Sequence, residues 1–186
     1  MTVNELLDVI FRWAHLIAGI MWVGNSLLFN WLDRSLKPAA VARDRSFGET
    51  WLLHSGAFYH VEKTLALGDV SPRTPHWFKW QSYITWISGF LLLIAVYYAT
   101  GGALLVNPAS GLSAYEGVGV GVGALLGGWL AYEAIWRSPL RSFPALGAAI
   151  CFVLLLLLGY ALGRVFTGRA AFLHVGALMG TVMAGN

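Results

Sequence analysis

Apolar residues dominate this chain in long uninterrupted runs, and the polar residues gather between them. A helix crossing a bilayer needs roughly 20 mostly apolar residues. Four runs meet that requirement: Val9–Trp31, Phe78–Ala99, Gly117–Trp136 and Phe143–Gly163. A fifth begins near Ala170 and reaches Asn186 without a charged flank. Its 17 or so residues span about 25 Å, against a hydrocarbon core of about 30 Å. The pattern predicts an all-α, polytopic transmembrane helix bundle with four full spans and a truncated fifth. It reads as one membrane domain over 1–186, the N-terminal part of a longer protein.

The segment 32–77 breaks the apolar pattern. Within it, GETWLLHSGAFYHVEKTLAL places Trp51, His54 and Phe58 at i, i+3 and i+7, which predicts an amphipathic helix at the membrane face or folded back on the bundle. DVSPRTP after it reads as a turn region, because its prolines stop a helix. In the third span, GVGVGVGALLGG puts Gly119, Gly123 and Gly127 at i, i+4 and i+8. That small-residue stripe predicts close helix packing, and no strand precedes it to make a nucleotide loop.

Composition agrees: 58% of the 186 residues are hydrophobic and 11% charged, far too apolar for an ordinary soluble domain. The net charge of +3 is small and sits mostly in one loop, which points to membrane orientation and not to nucleic acid. Arg34, Lys37, Arg43, Arg45, Lys63 and Arg73 all lie in 32–77, and the loop from Thr100 to Glu116 has no basic residue. The positive-inside rule then puts 32–77 in the cytoplasm and the N-terminus outside, in a multi-pass protein. The acidic N-terminus reads as a retained helix and not a cleaved signal. Cys151, the single cysteine, rules out an intrachain disulfide, and with no CxxCH the chain attaches no c-type haem.

Two of the five histidines, His15 and His174, fall inside membrane runs, where an ionisable group is a functional candidate by default. The first and fifth helices are expected to run parallel. Counting from Arg12 and Arg169, the two imidazoles come within about 3 Å of one depth. Such a pair can ligate both faces of a haem b iron. Arg12, Arg164 and Arg169 would hold the propionates, and Ala18, Gly19 and Ala177 would clear space for the macrocycle. The competing reading is that each histidine hydrogen-bonds a neighbouring helix and binds nothing. Glu133 and Arg137, at i and i+4, read as a helix ion pair. HWFKW reads as an aromatic-belt entry to the second span.

The stretches RWAHLIAGIMWVGNSLLFNWLD, GETWLLHSGAFYHVEK, HWFKWQSYITWISGFLLL and FLHVGALMGTVMAGN occur in this order. With them the chain, from near residue 12 onward, resembles the N-terminal membrane domain of the bacterial membrane-bound urate oxidase (urate hydroxylase) family. The resemblance implies about eight membrane helices followed by a cytochrome c domain, where any c-type haem would lie. It also implies an inner-membrane location, oxidation of urate to 5-hydroxyisourate in purine catabolism, and electrons passed to that domain or to soluble cytochrome c. Urate is a planar anion, and a site for it wants an aromatic slot, a cation and a base. In that light His54 becomes a candidate base, Lys63 a cation, and Phe58 and Tyr59 stacking partners. A site at the outer face near the haem is the alternative. The rival class is a non-redox membrane transporter or assembly scaffold.

Overall fold

The computed structural model describes residues 2–38, 46–65 and 76–185. Arg43, Arg45, Arg73 and the DVSPRTP segment lie outside the described residues. Five α-helices and one strand pair make up the rest: α1 (Val3–Ser35), β1 (Ser46–His54), β2 (Ala57–Thr64), α2 (Lys79–Leu93), α3 (Ala114–Arg137), α4 (Pro144–Val165) and α5 (Gly168–Gly185). Among the described residues, four helices are long and apolar enough to cross a membrane: α1, α2 with its extension to Tyr98, α3 and α4. They coincide with the four apolar runs, and the chain is an all-α membrane protein with a small strand pair. The residues divide into two compact units, 2–19 with 79–185, and 20–78, with α1 contributing to both.

In the larger unit α5 is the hub: α2, α3 and α4 all pack against it. Its inward residues Ala170, Ala171, His174 and Leu178 recur at helical spacing and are buried. Around them lie Leu93, Tyr97, Leu105, Leu125, Leu162 and Phe166. Lipid tails are as apolar as leucine, so in a bilayer this core gains from close packing and polar contacts more than from water exclusion. The ends are fixed by ordinary capping. Ser113 and Glu116 form a reciprocal capping box at the start of α3. Proline starts α4, where its missing N–H costs nothing.

α2 does not end cleanly at Leu93. Its last turn, Ile94–Tyr98, is π-helical. This wider turn rotates the following side chains relative to a continuous α-helix. The connection to α3 then doubles back over the junction of α4 and α5. Thr167 N–H donates to Leu105 O and Asn107 N–H to Val165 O, each at 2.9 Å. Leu105 is fully buried by this arrangement.

α3 packs through a different glycine row from the one expected. Gly119, Gly123 and Gly127 have open space where a Cβ would stand. The close approaches are at Gly117 against Val106, Gly121 against His174 and Tyr98, and Gly128 against Leu178. Alternate glycines in GVGVGVG supply two such rows on nearby faces, and spacing alone does not choose between them. Gly176 and Gly180 also face open space.

In the smaller unit, the described part of GETWLLHSGAFYHVEKTLAL does not form the expected amphipathic helix. Residues 46–64 form an antiparallel hairpin, with Leu53 opposite Phe58 and His54 opposite Ala57. The turn explains the difference. Ser55 and Gly56 both take positive φ, 52° and 77°, the two-residue geometry that matches strand twist. Ser-Gly between two runs rich in aromatic and β-favouring residues is a hairpin signal. The pairing puts Trp51 and Phe58 on one face and His54 on the other, so the helical spacing of these three residues was a coincidence of a short run. At the hairpin base, Gly48 has φ 132°, and a Cβ there would stand 2.5 Å from Lys37 O. Only glycine lets this strand exchange both backbone hydrogen bonds of Glu49 with Lys37, each 2.9 Å.

Candidate functional site

The membrane histidines sit in two different environments. His15, half-buried on α1, turns its ring toward α2. Its Nδ1 lies 2.9 Å from Thr85 O and 3.3 Å from Ser88 Oγ. A carbonyl only accepts, so Nδ1 carries a proton, and in the neutral ring Nε2 carries the lone pair. The ring rests on Gly89, where a Cβ would stand 2.9 Å from Cε1. One turn on, Ala18 is buried and Gly19 faces the Thr85 methyl, so α1 and α2 approach closely here. The surface under the ring belongs to a polar strip on α2: Gln81, Ser82, Thr85 and Ser88 are all buried. The three hydroxyls of this strip bond back to carbonyls of their own helix, which lets them lie in an apolar interior.

His174 is 1% exposed. Its Nδ1–H donates to Ala170 O at 2.7 Å, and its Nε2 accepts from the Tyr98 hydroxyl at 2.8 Å. Phe166 packs on the ring at 4.8 Å between centroids. A Cβ at Gly121 would stand 2.7 Å from both His174 Nε2 and Tyr98 Oη, so the α3 backbone closes the site. Nothing in the sequence singles out Tyr98 or Gly121 for this role. The first depends on the π turn, the second on which glycine row packs.

The two imidazoles are not at one level. Trp86 Nε1 donates to Thr181 Oγ1 at 3.0 Å and fixes the register of α5 on the antiparallel α2. Seven residues along, His174 is level with residue 93 or so of α2, whereas His15 engages Thr85 to Gly89. The six-residue offset amounts to about 9 Å of rise. The expected 3 Å match assumed equal counting from two arginines, which the actual register does not respect. A haem b held between both histidines would also have to displace the Tyr98 hydroxyl from His174 Nε2. His15 alone fits a metal ligand, with its far ring nitrogen oriented by a carbonyl and its Nε2 lone pair uncommitted.

The arginines divide in the same way. Arg12 is bound to Asp8 at 2.7 Å, one helical turn away. Arg164 ends α4, Arg169 begins α5, and both are exposed. Glu133 and Arg137 form the expected i, i+4 pair at 2.8 Å.

The hairpin candidates are not brought together. His54 is at the tip, with Nδ1 3.0 Å from Ser55 Oγ. Lys63 is at the base, bound to Asp33 at 2.6 Å. Six residues of strand separate Ala57, the cross-strand neighbour of His54, from Lys63, about 20 Å. Tyr59 shares their face, but Phe58 is on the opposite one beside Leu53. These four residues form no single pocket. The hairpin builds a different cluster instead: His60 Nε2 is 2.9 Å from Glu49 Oε2, and its ring stacks on Trp51 at 4.5 Å. His76 lies edge-on to Phe78 at 4.5 Å.

The profile of the family described as "Urate oxidase N-terminal" matches residues 1–186. The chain belongs to the urate oxidase N-terminal family. No curated protein and no solved structure matches it. Within this urate oxidase N-terminal chain, His15 has one ring nitrogen held by a backbone carbonyl, whereas both ring nitrogens of His174 are bonded inside the core.

Proposed function

We propose that this chain is the membrane part of an oxidoreductase that oxidises urate to 5-hydroxyisourate and hands the electrons to cytochrome c, fused or soluble. The observation that carries the reading is the family match along all 186 residues. The reaction consumes water: urate plus water gives 5-hydroxyisourate, two protons and two electrons. Those electrons leave toward one-electron acceptors, so a carrier is needed between them. A haem b, if bound in the membrane, would supply that one-electron capacity. His15 would hold it, with its ring fixed by Thr85 and seated on Gly89. Arg164 and Arg169 are the exposed cations suited to propionates or to an anionic substrate at that end of the bundle. Arg12 is already neutralised by Asp8 and is the weakest of the three. The family resemblance suggests a bacterial inner membrane, and the distribution of basic residues suggests an N-terminus outside.

The rival class, a transporter, is separated by mass balance. Proteoliposomes carrying the full chain are given urate and ferricytochrome c. The redox reading expects urate to disappear as cytochrome c is reduced. Intact urate accumulating inside the vesicles, with cytochrome c unchanged, would overturn it.

A further inference from the structure

We infer that His15 is this chain's sole histidine ligand to a haem iron, through Nε2, and that His174 is a latch and not a ligand. The inference rests on the redox reading above for the identity of the metal group.

The two rings carry the same tautomer, because in each Nδ1–H donates to a backbone carbonyl, Thr85 O or Ala170 O. They differ in what meets Nε2. At His174 the lone pair is taken by the Tyr98 hydroxyl, and Gly121 seals the space beyond. Metal binding there would require displacing both the tyrosine and the α3 backbone. At His15, Nε2 has no hydrogen-bond partner among the described residues. A polar nitrogen facing hydrocarbon is unfavourable unless it has a partner. An iron–nitrogen bond removes that cost and uses the orientation already imposed by Thr85. With its Nε2 already bonded to the Tyr98 hydroxyl, His174 has no lone pair to share with an iron held by His15. The Tyr98–His174 bond instead joins the end of α2 to α5 beneath α3, in the most buried part of the unit. Any further ligand to the group would come from a residue other than His174.

The test reads haem content and ligation on the full chain purified in detergent, so it stands apart from urate turnover. Wild type is expected to show a Soret band. His15→Gly is expected to lower the ratio of non-covalent b-type haem to protein at least tenfold, with imidazole in the buffer restoring it. His174→Gln and Tyr98→Phe are expected to keep the haem and its spin-state signature, with circular dichroism reporting the fold of every variant. A folded wild type without haem, or His15→Gly with undiminished haem, would overturn the inference. So would a folded His174→Gln protein that has lost its haem. If the haem results hold while urate is not consumed, the urate reading fails and the ligand assignment survives.

Discussion

A methyl group at residue 121 would meet His174 Nε2 and the Tyr98 hydroxyl, both at 2.7 Å. Neither is free to retreat: the histidine is held by Ala170 O, and the tyrosine projects from the π turn. Overpacking of this kind costs about 1–3 kcal/mol. Two residues away, Gly119 faces open space. Gly121→Ala should therefore lower the thermal unfolding midpoint in detergent clearly, and Gly119→Ala should leave it unchanged or slightly raised. Equal effects at both positions would mean that α3 is rotated from the orientation described. At this scale the sequence is legible for what stands in a membrane run and illegible for what it touches. His15 and His174 were visible as polar groups in apolar helices. Whether each Nε2 is open or closed depends on Tyr98 and Gly121, which stand among many tyrosines and glycines with no distinguishing context.

The hairpin shows where pattern fails at the scale of an element. Over nineteen residues, apolar positions can satisfy both a helical and an alternating template. What decides is the Ser55–Gly56 turn and the tolerance of Gly48 for positive φ, together with the backbone exchange between Glu49 and Lys37. The consequence for function is direct. On a helix, His54, Phe58 and Lys63 would crowd within a few turns; on the hairpin, tip and base are about 20 Å apart. A disulfide tests the element itself. Leu53 and Phe58 are cross-strand partners, with Cβ atoms expected about 5 Å apart. Five residues apart on a helix, their Cα atoms would be beyond the reach of a disulfide, about 7 Å. In a chain lacking the native cysteine (Cys151→Ala), Leu53→Cys with Phe58→Cys should cross-link on mild oxidation. Failure to cross-link, with both thiols reactive, would restore the helix.

Across the whole molecule, the apolar runs predict the membrane helices well, because length and composition alone decide whether a segment can cross a bilayer. The register between helices is set by contacts such as Trp86 with Thr181, which no period reveals. That is why the matched depth of the two histidines did not survive and the spans did. What remains is a chain of the urate oxidase N-terminal family, a membrane bundle with an oriented histidine on α1, and a second histidine closed into the core. The central claim is that such a protein oxidises urate by sending electrons out one at a time and not by reducing oxygen. The direct measurement is stoichiometry: urate consumed by the full chain under anaerobic conditions, with ferricytochrome c as acceptor and peroxide assayed after air is admitted. The account predicts two cytochromes reduced per urate with no oxygen required and no peroxide formed. Urate consumption that stops without oxygen, and yields peroxide when oxygen returns, would contradict it.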